Sequence, residues 1–162
     1  MAHILENRKA RFDYEIIDTF EAGIKLVGSE VKSLKAGHAS IVGSYVKIIN
    51  DEAYILGMKI DEYQKGNIPD GVDKNRTRKL LLKKTELKKL IKLTEEKGLT
   101  IVPLLLYLKD RLGNKTGRPT SPVGRWIKIS IGVGRGKKKA DKRETLKKRA
   151  VERDVRREYS TR

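Results

Sequence analysis

The chain contains no cysteine. It therefore cannot build a disulfide framework or a thiolate metal site, and it fits a reducing compartment. Its two histidines, His3 and His38, stand far apart in sequence, so no paired imidazoles offer themselves for zinc. No serine stands in a nucleophile-elbow pattern. We therefore expect no catalytic residue, no metal and no cofactor. Long apolar runs are missing too. The longest, residues 101–108, holds eight residues and a proline, far short of the ~18 needed to span a membrane. The N-terminus lacks the apolar core of a signal peptide. The expectation is a soluble, cytoplasmic protein.

Phosphate-binding loops are also absent. The glycine-rich segment 132–138 has Ile131 where a Walker loop needs its first glycine and Lys138 where it needs a hydroxyl. It reads as the end of a strand, where glycine lets the backbone bend into the basic C-terminal segment.

Positive charge is abundant. The 162 residues carry a formal net charge of +17, with a pI near 10.0. From Arg135 to Arg162 there are 13 Lys/Arg against 5 Asp/Glu, a net of +8. This segment has too few large apolar residues to form a core. We divide the chain into a compact body, 1–134, and a basic tail, 135–162. Dense positive charge without a core suits a polyanion, in the first place a nucleic acid. Anionic lipid is the weaker alternative: the tail's apolar stripe (Leu146, Ala150, Val151, Val155, Tyr159) is narrow for membrane binding.

The body reads as β-rich. Residues 13–27 alternate like a strand pair or one bent strand, with Gly23 as the bend and Glu21 beside it. Residues 28–37 form a short helix capped by Ser29. Residues 44–49 and 53–60 form a hairpin around 50–52. Residues 64–77 look like a loop, and 79–82 are short and ambiguous. A helix over 85–97, capped by Thr85, ends at Gly98. Strands follow over 100–109 and 126–133, joined by a long Gly/Pro-rich, mobile loop. Five to seven short strands with short connections pair antiparallel and close most economically into a small oligonucleotide-binding (OB-like) barrel. Basic residues cluster at Arg8, Lys9 and Arg11, and at Arg76, Arg78 and Lys79. With Lys128 they can build one positive surface, with Tyr63 or Trp126 as stacking faces.

Several motifs occur in order: Asn7-Arg8-Lys9-Ala10-Arg11-Phe12-Asp13-Tyr14, Phe20-Glu21-Ala22-Gly23, the run from Gly28 to Gly37, Ser44-Tyr45, Arg76 to Leu82, Glu96-Lys97-Gly98-Leu99-Thr100, and Gly136-Lys137-Lys138 with Asp141-Lys142-Arg143. Together they resemble the small protein B, or SsrA-binding, family of bacterial trans-translation. The resemblance spans about 7–150. It implies a mainly β fold with α: a six-stranded antiparallel OB-like barrel with two to three helices and a basic C-terminal tail. It implies a monomeric, non-enzymatic partner of transfer-messenger RNA (tmRNA), gripping its tRNA-like domain. Asn7, Glu21, Leu81 and Lys128 match the family's RNA-binding positions, and Arg8, Arg11, Arg76, Arg78 and Lys79 extend that surface.

The resemblance further implies that the tail is disordered when free. On the ribosome it enters the vacant mRNA channel of the small subunit and folds as a helix against ribosomal RNA. Its contacts would come from Arg135, Lys137, Lys138, Lys139, Asp141, Lys142, Arg143, Lys147, Lys148 and Arg149. Gly134 and Gly136 would keep the junction flexible. Elongation factor Tu with GTP joins through the aminoacylated RNA. Two departures from the family pattern are Ala140, where some members carry a stacking aromatic or His, and the insertion near 111–124 with Arg111, Lys115 and Arg118. The alternatives are a ribosomal or other OB-fold translation protein and an RNA-processing enzyme. An adaptor is substoichiometric on ribosomes, which separates it from the first.

Overall fold

The computed structural model describes residues 4–63, 73–110, 113, 115–116 and 126–160. The elements in chain order are β1 (Leu5–Glu6), α1 (Arg8–Asp13), β2 (Tyr14–Ile24), α2 (Gly28–Lys35), β3 (Ala39–Ser40), β4 (Tyr45–Ile49), β5 (Glu52–Leu56), β6 (Lys59–Ile60), β7 (Arg78–Leu81), α3 (Lys84–Lys97), β8 (Thr100–Lys109), β9 (Lys115–Thr116), β10 (Trp126–Gly136) and α4 (Lys139–Ser160).

Strand pairing runs β8-β10-β2-β7-β5-β4, and β4 pairs again with β8 through Val46 and Ile101. Six antiparallel strands thus close a ring, which leaves none of them with a fully open edge. Alternation decides what fills it. Ala22, Ile24, Val46, Ile55, Leu80, Ile101, Leu106, Ile129 and Ile131 point inward, joined by Leu34 of α2 and Leu90 of α3. A second, smaller cluster lies under α1, where Ala10 packs on Val102 and Leu104. One strand feeds both clusters because β8 slips register against β10 between the Ser130–Leu105 and Ile131–Pro103 pairs. The unpaired Leu104 marks a bulge that switches which face is buried.

Several local expectations change. Of the two readings of residues 13–27, the structure gives the single strand and not the strand pair. β2 is continuous and Gly23 lies inside the ladder, opposite Lys128 and Leu81. The irregularity sits instead between Val133 and Gly134, where β2 carries the extra residue Ile17. The short helix α1 follows Asn7, whose side-chain oxygen accepts the Ala10 N–H at 3.0 Å. Neither Ser29 nor Thr85 caps its helix. Glu30 accepts the Val27 N–H at 3.1 Å, and Glu86 accepts that of Lys83 at 3.0 Å. Carboxylates in the first turn also suit the positive helix end. Gly98 ends α3 at φ +60° as expected. The ambiguous segment near 79–82 is strand β7. Most of the 111–124 insertion, including Arg111 and Arg118, lies outside the described residues, as does most of the 64–77 loop. Lys115 belongs to β9, paired to the end of β8.

The glycine-rich junction is no hinge in this structure. Past the irregularity at Val133/Gly134, β10 stays paired with β2 through Gly134–Ile16 and Gly136–Tyr14. A Cβ at Gly134 would stand 2.2 Å from the Glu15 carbonyl oxygen. Glycine here permits two backbones to approach closely.

Candidate nucleic-acid interface

The outward residues of four neighbouring strands form one surface. Ladder pairing sets Leu81, Gly23, Lys128 and Tyr107 side by side across β7, β2, β10 and β8, with Tyr107 buried at that end of the row. The next row carries Glu21 opposite Ser130, and the far row sets Trp126 opposite Lys109. The structure therefore brings together Glu21, Leu81 and Lys128, which stand up to 107 positions apart in the chain. Lys79 extends the face on the β7 side, paired with Tyr54 of β5. Leu81 and Trp126 are each 54% exposed. Gly23 keeps the surface shallow between Leu81 and Lys128.

Glu21 is not at a bend. It lies in β2 at the centre of a polar cluster. The Lys109 ammonium donates to its Oε1 at 2.6 Å, and the Tyr107 hydroxyl donates to Oε2. Partial burial pushes this carboxyl up. The hydrogen bonds from Lys109 and Tyr107 and the charges of Lys109 and Lys128 outweigh that, and hold it below the ordinary range. The Tyr107 phenol is shifted up by burial and by its acidic acceptor. Lys115 lies over the Tyr107 ring at 4.7 Å. Each carboxylate oxygen keeps further lone-pair capacity, so an ionised Glu21 can still accept from an outside donor. Lys79 pairs with Glu52 at 2.6 Å. The Lys79 hydrogen bond, with a second from Tyr54, lowers the Glu52 carboxyl.

Lys109 is a functional candidate that sequence reasoning missed, and Tyr107, only 2% exposed, positions Glu21 from beneath the face. Tyr107 sits in, and Lys109 just after, an apolar run that reads as wholly buried. The signal was in the pairing: Lys109 and Tyr107 alternate with Leu108 and Leu106, which face the core.

Several expected surface residues lie elsewhere. Asn7 is 2% exposed. Its amide donates to the Ile41 and Pro103 carbonyls at 3.2 and 3.0 Å while its oxygen caps α1. These bonds fix where α1 leaves the sheet and leave the amide no outward face. Arg78 is fully buried. Its guanidinium forks onto Glu30 Oε1 at 2.9 and 2.7 Å and also donates to the Met58, Arg76 and Lys74 carbonyls. Arg76 takes the other side of Glu30 at 2.8 and 2.6 Å. Both arginines are spent on one carboxylate. Burial raises Glu30, but hydrogen bonds from Arg76, Arg78 and the Val27 N–H leave it lowered. Arg8 and Arg11 are exposed on α1, with Arg8 paired to Glu6 at 3.0 Å. Tyr63 lies apart from the sheet face, under Lys32 of α2.

The tail continues from β10 into α4. Asp141 accepts the Lys138 N–H at 3.3 Å, which helps start the helix. Lys138, Lys139, Arg143, Lys147, Lys148 and Arg149 are exposed, and Lys142 is half-buried. Arg135 stands 3.9 Å from Glu15. Among the described residues no group of His, Asp and Glu could hold a metal ion, and no helix is long and apolar enough to cross a membrane.

The comparisons with known proteins agree with one another. The model of the SmpB protein family matches residues 4–161. The SsrA-binding protein of Gloeothece citriformis is 47% identical over 154 residues, covering 95% of this chain and 90% of its own length. That of Coprothermobacter proteolyticus is 44% identical over 158 residues, covering 98% and 97%. A solved structure described as "tmRNA-SmpB: a journey to the center of the bacterial ribosome" contains a similar chain. It matches with a TM-score of 0.62 and 42% identity over 88% of this chain and 93% of that one. A closed antiparallel sheet with a cationic outer face, a basic C-terminal helix and these similarities make the chain a member of the SmpB, or SsrA-binding protein, family.

Proposed function

We propose that this protein is the RNA-binding adaptor of trans-translation. It binds the tRNA-like domain of tmRNA and brings it to stalled ribosomes. The observation that carries this reading is the row Leu81–Gly23–Lys128 with Glu21 beside it. Lys128, Lys109 and Lys79 supply attraction for phosphate. Leu81 and Trp126 supply apolar contact and a stacking face. Glu21 supplies an ionised acceptor for base or ribose donors, which a purely cationic patch lacks. Asn7 serves from inside by positioning α1, and Arg76 and Arg78 by holding the base of β7 on α2. The function asks for no bond-making step, so no enzymatic activity or cofactor is assigned. The protein acts in the cytoplasm as a monomer.

In this reading residues 1–134 grip tmRNA and 135–162 probe the ribosome. Arg135, Lys137, Lys138, Lys139, Lys142, Arg143, Lys147, Lys148 and Arg149 meet small-subunit ribosomal RNA in the vacant mRNA channel, and Asp141 starts the helix there. The distal part of α4 is exposed and rich in like charge, so it frays in the free protein and completes when phosphates neutralise it. Elongation factor Tu with GTP reaches the complex through aminoacylated tmRNA.

Affinity for the tRNA-like domain is expected to fall as salt rises, with a log–log slope of about 0.7–0.9 per neutralised phosphate. Lys128→Ala should weaken binding and reduce that slope by about one such unit. A titration series in wild type and variant measures both. An unchanged slope removes Lys128 from the phosphate contacts.

A further inference from the structure

We infer that the helix α1 is a cradle for the root of the tail, and that Asp13 is the positioning residue that holds it. This rests on the adaptor reading and goes beyond it: the tail leaves the body in a set direction instead of as a free tether. Four contacts carry the inference. The Asp13 carboxylate pairs with the Lys142 ammonium at 3.1 Å. The Asp13 carbonyl accepts the Lys137 N–H at 2.8 Å. The Lys137 ammonium reaches the Arg11 carbonyl at 3.5 Å. The Arg149 guanidinium lies over the Phe12 ring at 5.6 Å.

These contacts select one face of α4. Lys142, Thr145 and Arg149 recur at three- and four-residue spacing, which is one side of a helix. Lys142, Thr145 and Ala150 are half-buried, whereas Lys138, Lys139, Arg143, Lys147, Lys148 and Arg149 are exposed. Charge explains the fit. α1 ends in an acid and an aromatic ring, and the tail brings a lysine and an arginine one turn or two further on. The root is also tethered covalently, since β10 runs beside β2 up to the Gly136–Tyr14 pair. Few residues remain between that last ladder pair and Lys142, so the pairing is intramolecular at high effective concentration.

The arrangement has two consequences. The root of α4 is already helical, with Lys139, Arg143, Lys147 and Lys148 exposed. Lys142 is paired to the body, so phosphate must displace Asp13 to recruit it, while Arg149 is exposed and rests on the Phe12 ring. The cradle therefore sets both the direction of approach and a threshold for full engagement.

Hydrogen–deuterium exchange on the full-length protein tests this. In Asp13→Asn, amides of 137–149 are expected to exchange about two- to tenfold faster, the range of a half-buried surface ion pair with a neighbouring cation–π contact. Exchange in β8 and β10 should not change. Asp13→Glu should keep the protection, and the swap Asp13→Lys with Lys142→Asp should restore it. Unchanged exchange of 137–149 in Asp13→Asn overturns the inference. So does a loss spread equally over β8 and β10 that the swap leaves uncorrected, since that marks a general folding role. Binding of the tRNA-like domain is measured in parallel. Wild-type protein that fails to bind it counts against the adaptor reading and leaves the exchange result standing.

Discussion

A chain ending at Gly136 is expected to bind tmRNA and to fail at tagging on stalled ribosomes. The cut falls after the last ladder pair of β10, Gly136–Tyr14, so the ring of strands and its core stay whole. The face with Glu21, Leu81 and Lys128 stays whole too. Removing the tail discards most of its net charge of +8. That weakens non-specific attraction, so affinity at moderate salt should drop by no more than about tenfold. Peptide tagging should fall to background, because nothing then probes the mRNA channel. Gel-shift titration and an in vitro tagging assay separate the two readouts. Normal tagging by the truncated chain would remove the tail from the mechanism.

Arg78→Ala is expected to cost the fold about 3–5 kcal/mol, the penalty for removing one partner of a buried ion pair. It strands Glu30, 4% exposed, and three carbonyl groups that Arg78 now satisfies. For a chain of this size that is a fall of roughly 6–20 °C in Tm. Arg76 keeps part of Glu30 neutralised and tempers the loss. The double change Glu30→Leu with Arg78→Met should cost much less than the two single changes together, because no charge is left alone. The network also ties stability to pH. The folded-state pKa of Glu30 is lowered, so its contribution is complete above the ordinary glutamate range. It is lost as pH falls through the lowered value. Glu30→Gln should flatten that part of the acid unfolding curve. Thermal and acid denaturation followed by circular dichroism measure all of these.

The fold was legible wherever alternation was strong. The strands at 45–49, 100–109 and 126–133 and the helix ending at Gly98 stand close to where the sequence places them. What escaped depended on partners distant in the chain. The six-residue α1 is too short for helical periodicity to show, and its start signal, Asn7, looks like a surface polar residue until the carbonyls of Ile41 and Pro103 surround it. Arg76 and Arg78 read as solvated charge because their acceptor, Glu30, lies 46 and 48 positions away. The same long-range pairing hid the neighbours of Glu21. A lone acid beside Gly23 suggests a turn, and only the β2–β10–β8 register shows Lys109 and Tyr107 bracketing it. Glycine at 134 likewise suggested a hinge. Composition cannot distinguish freedom from close approach, and the Glu15 carbonyl decides for close approach. The net charge of the tail was plain from the sequence, but its face against α1 was not.

The most direct measurement is a competition at physiological salt between the tRNA-like domain of tmRNA and an arbitrary duplex of equal length, with wild type and Glu21→Ala. The account predicts that wild type strongly prefers the tRNA-like domain. Glu21→Ala should lose much of that preference, although it makes the protein more positive. Equal affinity of wild type for both RNAs, or a Glu21→Ala variant that prefers the tRNA-like domain as strongly as wild type does, would contradict it.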